Sequence, residues 1–186
     1  MALPRLQTLP EIEAALWREL LRAPRDKHHE WRTPVLATRD GSGADARTVV
    51  LREVDEASRT LRVFTDSRSA KVTQLRANPQ GTLVMWSSRR SWQLRLRVAL
   101  QVETDGLALA SRWARLKLSP AAQDYLSPLA PGSVLDGSAA AAPVAHDRGH
   151  FAMISLEVQT IDWLELHAEG HRRASFDDAG ARWLAP

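Results

Sequence analysis

SWQLRLRVALQVE, residues 91–103, is the stretch whose reading decides the fold. Trp92, Leu94, Leu96, Val98, Leu100 and Val102 fall at every second position, with Gln93, Arg95, Arg97, Ala99, Gln101 and Glu103 between them. A period of two is that of a β-strand with one apolar side. So long and regular a strand belongs to a barrel or a coiled sheet. The Arg95/Arg97 side is too polar for a core, so it meets solvent, a ligand or a partner subunit.

Upstream, GTLVMWSS (81–88) and the Arg89-Arg90 turn make a hairpin with this strand. Before that, a helix over about 69–77 is stopped by Asn78-Pro79, because the residue before proline avoids the helical region. Three short β-runs precede the helix: PVLAT (34–38), ARTVVLREV (46–54) and TLRVFT (60–65). Asp40-Gly41-Ser42-Gly43 and Asp55-Glu56-Ala57-Ser58 connect them as hairpin-type turns. At the start of the chain, Thr8-Leu9-Pro10-Glu11 has the form of a capping box, followed by an amphipathic helix that ends near Ala23-Pro24.

Downstream, residues 107–127 read as helix with a restart at Ser119-Pro120, and 128–148 as a long Pro/Ala/Gly/Ser loop expected to be mobile. HFAMISLEVQTIDWLEL (150–166) is a strand whose alternation slips near Gln159-Thr160, as at a bulge. HRRASF (171–176) and ARWLA (181–185) close the chain as a hairpin. About seven or eight antiparallel strands with two or three helices predict a mainly β fold, a small barrel decorated by helices, in one domain over 1–186.

Composition narrows the function classes. The chain has 186 residues, 44% of them hydrophobic and 25% charged, as in a globular protein. No apolar run approaches the roughly 18 residues that a membrane helix needs, and Pro4, Pro10 and early acids do not suit a signal peptide. The expected compartment is the cytoplasm, with no membrane partner. Cysteine is absent, which excludes disulfides, thiolate nucleophiles and thiolate metal sites. Net charge is only +3 and the cations are interleaved with acids, so a nucleic-acid partner is not expected. Adjacent His28 and His29 point apart on a strand or loop, and no metal site is expected.

Several features describe a planar, phosphorylated ligand. TDSRSAKVTQLRANP (65–79) leaves a strand through a polar turn and enters a helix whose start carries Arg68, Ser69 and Lys71. A helix start offers unpaired N–H groups and partial positive charge, which suit a phosphate. An ordinary cap with solvated cations is the plain alternative. Arg47 begins a strand whose Val49 and Leu51 can lie against a flat ring. The amide of Gln93 can bond both a ring N–H and a carbonyl. Trp163, His171 and Arg173 gather near the closing hairpin, where core packing and surface ion pairing are their plain alternatives.

Over Arg47–Pro79, Trp86–Gln93 and Trp163–Phe176, in that order, the sequence resembles the pyridoxamine 5′-phosphate oxidase-like FMN-binding split barrels, in particular their stand-alone bacterial subgroup. The motifs within them are RTVVLR (47–52), TDSRSAK…ANP (65–79) and Trp163…His171-Arg172-Arg173. The resemblance implies a six- to eight-stranded antiparallel split barrel that binds FMN as a homodimer, with the cofactor at the subunit interface. It implies that Arg47, Ser69 and Lys71 hold the FMN phosphate, with Arg68 as helper. Val49, Val50, Leu51 and Thr65 would line the flavin, and Gln93 would bond the ring or ribityl chain. Trp163 and Arg173 would complete the site from the other subunit. Arg52 stands where the family's oxidases set Lys against the substrate phosphate, and His171 and Arg173 are the candidate catalytic residues.

The implied activity is FMN-dependent hydride transfer involving a small organic substrate or NAD(P)H. A non-catalytic flavin- or haem-binding module is the alternative. Three departures bear on the substrate. The family's Arg-Lys pair is Ala70-Lys71 here, the substrate-binding Arg before the family His is Glu169, and residues 108–118 lack the family's phosphate-gripping Tyr, Arg and Ser. A carboxylate at 169 repels a phosphate dianion, so the substrate is expected to differ from pyridoxamine phosphate.

Overall fold

The computed structural model describes residues 5–135 and 149–186. Of the loop expected over 128–148, residues 136–148 therefore lie outside the described residues. Helix α1 (Leu9–Arg22) begins at the capping box: Thr8 Oγ1 accepts from the Glu11 amide, and the Glu11 carboxylate accepts from the Thr8 amide. Its apolar side buries Ile12, Leu16, Trp17 and Leu20 against β3 (Leu51–Asp55) and β9 (Gly180–Leu184). Each fully buried Leu or Ile contributes about 1.5–3 kcal/mol. A 3-10 turn, Glu30–Arg32, leads into the sheet.

The remaining strands are β1 (Val35–Arg39), β2 (Ala44–Thr48), β4 (Thr60–Asp66), β5 (Gln80–Ser87), β6 (Trp92–Glu103), β7 (Phe151–Glu165) and β8 (Arg172–Asp177). The single strand expected over 46–54 is two strands here, broken at Val49-Val50. Seven strands run in the order β2-β1-β5-β6-β7-β4-β3, with β8 and β9 added beside β7. That order forces closure. β2 and β3 stand at opposite ends of the path, yet only Val49 and Val50 lie between them in sequence. The sheet must curl until its two ends meet.

Strand β6 keeps the expected alternation, with Trp92, Leu94, Leu96, Val98 and Leu100 buried inside the barrel. The bulge stands where it was expected. Arg97 pairs with Thr160 but Val98 with Val158, leaving Gln159 unmatched. It marks a change of neighbour along one edge of β7: residues 151–157 pair with β4, and residues 160–165 with β8.

Among the described residues, the outer face of the sheet is covered at one end only. Leu109 of α3 (Leu107–Leu116), Tyr125 of the 3-10 turn Pro120–Tyr125, Phe151 and Met153 form a second cluster there, with Phe64 and Trp113 packed on it. The other end leaves Val35, Trp86 and Leu184 open to solvent. No helix of the described residues is long and apolar enough to cross a membrane.

Candidate functional site

The site builds up around α2 (Ala70–Ala77), which enters directly from β4. Ser69 occupies the N-cap position but makes no capping bond. Its hydroxyl lies 3.2 Å from Thr65 Oγ1 instead, and both residues are buried. The first turn of the helix thus keeps its partial positive charge. Lys71 Nζ donates to Thr65 Oγ1 at 3.2 Å and forms no ion pair among the described residues. Burial, then the nearby Arg47 charge, hold its pKa below the ordinary lysine value.

Arg47 reaches the same place from β2 and is tightly held. Its guanidinium donates to Asp45, to Thr38 Oγ1 and, at 2.8 Å, to Gln74 Oε1. Thr38 Oγ1 also donates to Gln74 Oε1 at 2.6 Å, and Gln74 Nε2 donates to Asp45 at 2.9 Å. Hydrogen bonds from Gln74 and Arg47 keep the Asp45 carboxyl below its usual range. Arg47, Thr65, Ser69 and Lys71 therefore converge on one spot, with two cations, two hydroxyls and a helix start. Val49 and Leu51 are buried beside it, and Val50 is half-buried between them.

A second group assembles elsewhere. Gln93 pairs with Trp86 on β5 and Leu164 on β7, and Leu164 pairs with Arg173 on β8. Directly paired residues share a face. Trp86, Gln93, Leu164 and Arg173 thus form one row across the outer face, ending at Leu184. Arg173 is clamped by Asp162, with Nε on Oδ1 at 3.0 Å and Nη2 on Oδ2 at 2.7 Å, and Arg95 binds the same carboxylate. Burial acts to raise the Asp162 pKa, but the bonds from Arg173 and Arg95 outweigh it and the net shift is downward.

Within the chain these groups stand apart. Arg47 pairs with Leu36, which pairs with Leu83, and Leu83 with Leu96, all on the inner face. Gln93 lies three positions from Leu96 and projects outward. Three strand spacings alone separate β2 from β6 by about 14 Å.

The other predicted site residues have their own settings. Arg52 is the unmatched residue of a bulge, since Leu51 pairs with Val63 but Glu53 with Arg62, and bulges re-aim side chains. Its guanidinium lies over Phe64, 5.7 Å from the ring centroid. Arg68 donates to both oxygens of Asp66 and to the carbonyls of Ser127, Pro128 and Leu129, bracing the segment after Tyr125. His171 is exposed, with Nδ1 accepting from the His167 amide. Glu169 projects from the same turn at 77% side-chain exposure, and Arg5 is its nearest cation at 3.6 Å.

Trp163 turns inward, wholly buried against Trp92 and Trp183, so it does not join the row of Gln93 and Arg173. His29 is occupied structurally, with Nε2 on Glu19 and Nδ1 accepting from the Trp31 amide. Sequence reasoning missed Thr38, Asp45, Gln74 and Asp162. The usable signal for Gln74 was its spacing of three from Lys71, which puts both on one helix face. Two clefts of about 650 and 730 Å³ lie between the β1–β2 hairpin, α2 and the start of β5, and neither is lined by Val49–Leu51.

A curled antiparallel sheet with flanking helices, carrying a cationic cluster at one helix start, defines a split-barrel protein. Residues 14–104 match the sequence model of the family described as pyridoxamine 5′-phosphate oxidase, FMN-binding domain. Among solved structures, a pyridoxamine 5′-phosphate oxidase-related, FMN binding protein from Nostoc punctiforme is similar with a TM-score of 0.75. It is 24% identical, over 97% of this chain and 100% of that one. PhzG from Burkholderia lata, in complex with tetrahydrophenazine-1-carboxylic acid, has a TM-score of 0.70 at 17% identity, over 95% of this chain and 92% of its own. A heme binding protein from Mycobacterium smegmatis has a TM-score of 0.53 at 17% identity, over 94% of this chain and 60% of its own. These likenesses establish the fold. No curated protein matches the chain.

Proposed function

We propose that the chain is an FMN-dependent oxidoreductase acting as a homodimer, with a substrate other than pyridoxamine phosphate. The observation that carries the reading is Lys71, a part-buried cation with no ion pair among the described residues, Asp66 and Asp45 acting on it only from longer range, beside Arg47 and two hydroxyls. Arg47 is paired with Asp45, but Lys71 is desolvated beside it without an ion pair, and a phosphate dianion would supply the counter-charge. The cradle thus fits the phosphate end of FMN. Arg47, Lys71, Thr65 and Ser69 would hold that phosphate, and Val49, Val50 and Leu51 would lie against the ring.

The separation of Arg47 and Lys71 from Gln93 and Arg173 supports a second copy. One copy supplies the cradle, and the outer-face row of the other supplies an amide and a guanidinium for the ring. The open Val35, Trp86 and Leu184 supply apolar area for such a contact. FMN, when bound, supplies the hydride-transferring centre. The chain's own part is to fix the phosphate, exclude water from one ring face, and place Arg173 where it favours negative charge on a reduced ring. Arg52, close to Phe64 and Tyr125, is placed to meet an anionic substrate group. Glu169 sets a negative charge at the turn between β7 and β8, unfavourable for a second phosphate.

The test is a visible spectrum of the freshly purified protein, followed by a screen of reductants. A flavin spectrum bleached by NADH, NADPH or a small organic donor is expected. Protein that takes up no FMN refutes the reading, and a Soret-type band would assign haem instead. As a companion, Glu169→Arg is expected to raise turnover of pyridoxamine 5′-phosphate. Unchanged turnover would remove the argument about the substrate.

A further inference from the structure

We propose that Gln74 is the positioning residue of the phosphate cradle, holding Arg47 beside Lys71 in readiness for a phosphate monoester. This rests on the reading of that spot as the FMN phosphate site. Left to itself, the Arg47 guanidinium would swing away from Lys71 into solvent, because like charges at close range repel. The Arg47 charge is the second cause, after burial, of the lowered Lys71 pKa, so the two are electrostatically coupled.

What prevents the swing is a closed polar ring. Gln74 Oε1 accepts from Arg47 Nη2 at 2.8 Å and from Thr38 Oγ1 at 2.6 Å. Gln74 Nε2 donates to Asp45 Oδ2 at 2.9 Å, and Asp45 returns to Arg47. Only a side chain that both accepts and donates can close this ring, and a primary amide does so without charge. Glutamate would lose the bond to Asp45 and add an anion facing the phosphate. Lysine would accept nothing from Arg47.

Position matters as much as chemistry. Gln74 follows Lys71 by three residues and so lies on the same helix face one turn on. Thr38 belongs to β1, and Asp45 and Arg47 to β2. The amide therefore locks α2 to the sheet edge at the point where both cations must meet one ligand group. Arg47 is then set before any ligand arrives, and the entropy of ordering its side chain is not charged to binding.

The test compares two ligands that differ only in the phosphate. FMN and riboflavin are titrated by quenching of flavin fluorescence into the cofactor-free wild type, Gln74→Leu and Gln74→Glu, with thermal melting of each to show that it is folded. Wild type is expected to prefer FMN strongly. In Gln74→Leu the Kd for FMN is expected to rise about tenfold, the equivalent of one bond to a charged group, while the Kd for riboflavin stays within about twofold. Gln74→Glu is expected to lose more FMN affinity than Gln74→Leu, and the excess to shrink at high salt. Equal losses for the two flavins, or an unchanged FMN preference in both variants, overturns the role of Gln74. A wild type that binds FMN and riboflavin alike overturns the cradle itself, and is seen before any variant is compared.

Discussion

Replacing Lys71 by methionine is expected to move two measurements in opposite directions. In the cofactor-free protein, Lys71 is a partly buried ammonium whose one hydrogen-bond partner among the described residues is the Thr65 hydroxyl, and Arg47 adds repulsion that Asp66 and Asp45 offset only in part. Such a group costs the folded state something and returns only one neutral-acceptor bond, so its removal should leave stability unchanged or slightly raised. Methionine keeps most of the unbranched stem that packs along α2. In the proposed FMN complex the same ammonium would donate to the phosphate. A charge-assisted bond of that kind contributes about 1.5–3 kcal/mol, so the Kd should rise roughly 10- to 150-fold.

The pH dependence has a determinate sign. A lysine whose folded pKa lies below its unfolded value of about 10.4 binds fewer protons when folded. Its unfavourable contribution is therefore full below the folded pKa and disappears as pH rises towards the unfolded value. Cofactor-free wild type should gain stability relative to Lys71→Met across that alkaline window, while FMN affinity of the wild type falls as the ammonium is lost. The assays are chemical denaturation without cofactor and FMN titration, each at several pH values. A variant that is less stable without cofactor, yet binds FMN as tightly as wild type, would refute the reasoning.

Two further outcomes are expected. Trp86→Glu, which puts a charge on the open end of the outer face, should shift the protein from dimer to monomer in sedimentation velocity and lower its flavin content, with the far-ultraviolet circular dichroism unchanged. Asp162→Asn should lower stability by about 1–2 kcal/mol near neutral pH, between the values for exposed and buried pairs. Because the folded pKa of Asp162 is depressed, its contribution is present above the ordinary carboxylate value and is lost as pH falls through the folded value. Denaturation midpoints of wild type and variant should therefore converge in acid, and parallel curves would count against the clamp.

Much of the architecture was legible because local rules and the final fold agree. The Thr8–Glu11 capping box, the unbroken alternation of 92–102, the restart at Pro120 and the slip at Gln159 each have a short-range physical cause, and each stands where expected. The break at Val49-Val50 was not legible. An apolar pair inside a β-run looks continuous until the order of the strands requires the chain to cross from one sheet end to the other. Trp163 shows what a bulge does to phase. Beyond Gln159 the inward positions are Ile161, Trp163 and Glu165, so the tryptophan lies in the core while its neighbour Leu164 joins the outer row.

The site was half legible. Arg47, Ser69 and Lys71 converge as their motif implied. Arg68 gave no sign of its engagement with three carbonyls, because those partners are about 60 residues further on. Gln74 looked like any solvated helix residue, since nothing short-range distinguishes an amide facing water from one facing a guanidinium. Asp162 was hidden for the same reason, its partners lying on β6 and β8.

The two-residue link between β2 and β3 has no slack. It is both the seam that shuts the cylinder and the floor proposed for the flavin ring. An insertion there would loosen closure and cofactor seat together, whereas surface turns such as Asp40–Gly43 can lengthen without reaching either. Retention of cofactor in insertion variants would thus report on whether the cylinder is shut, a reading of topology through colour.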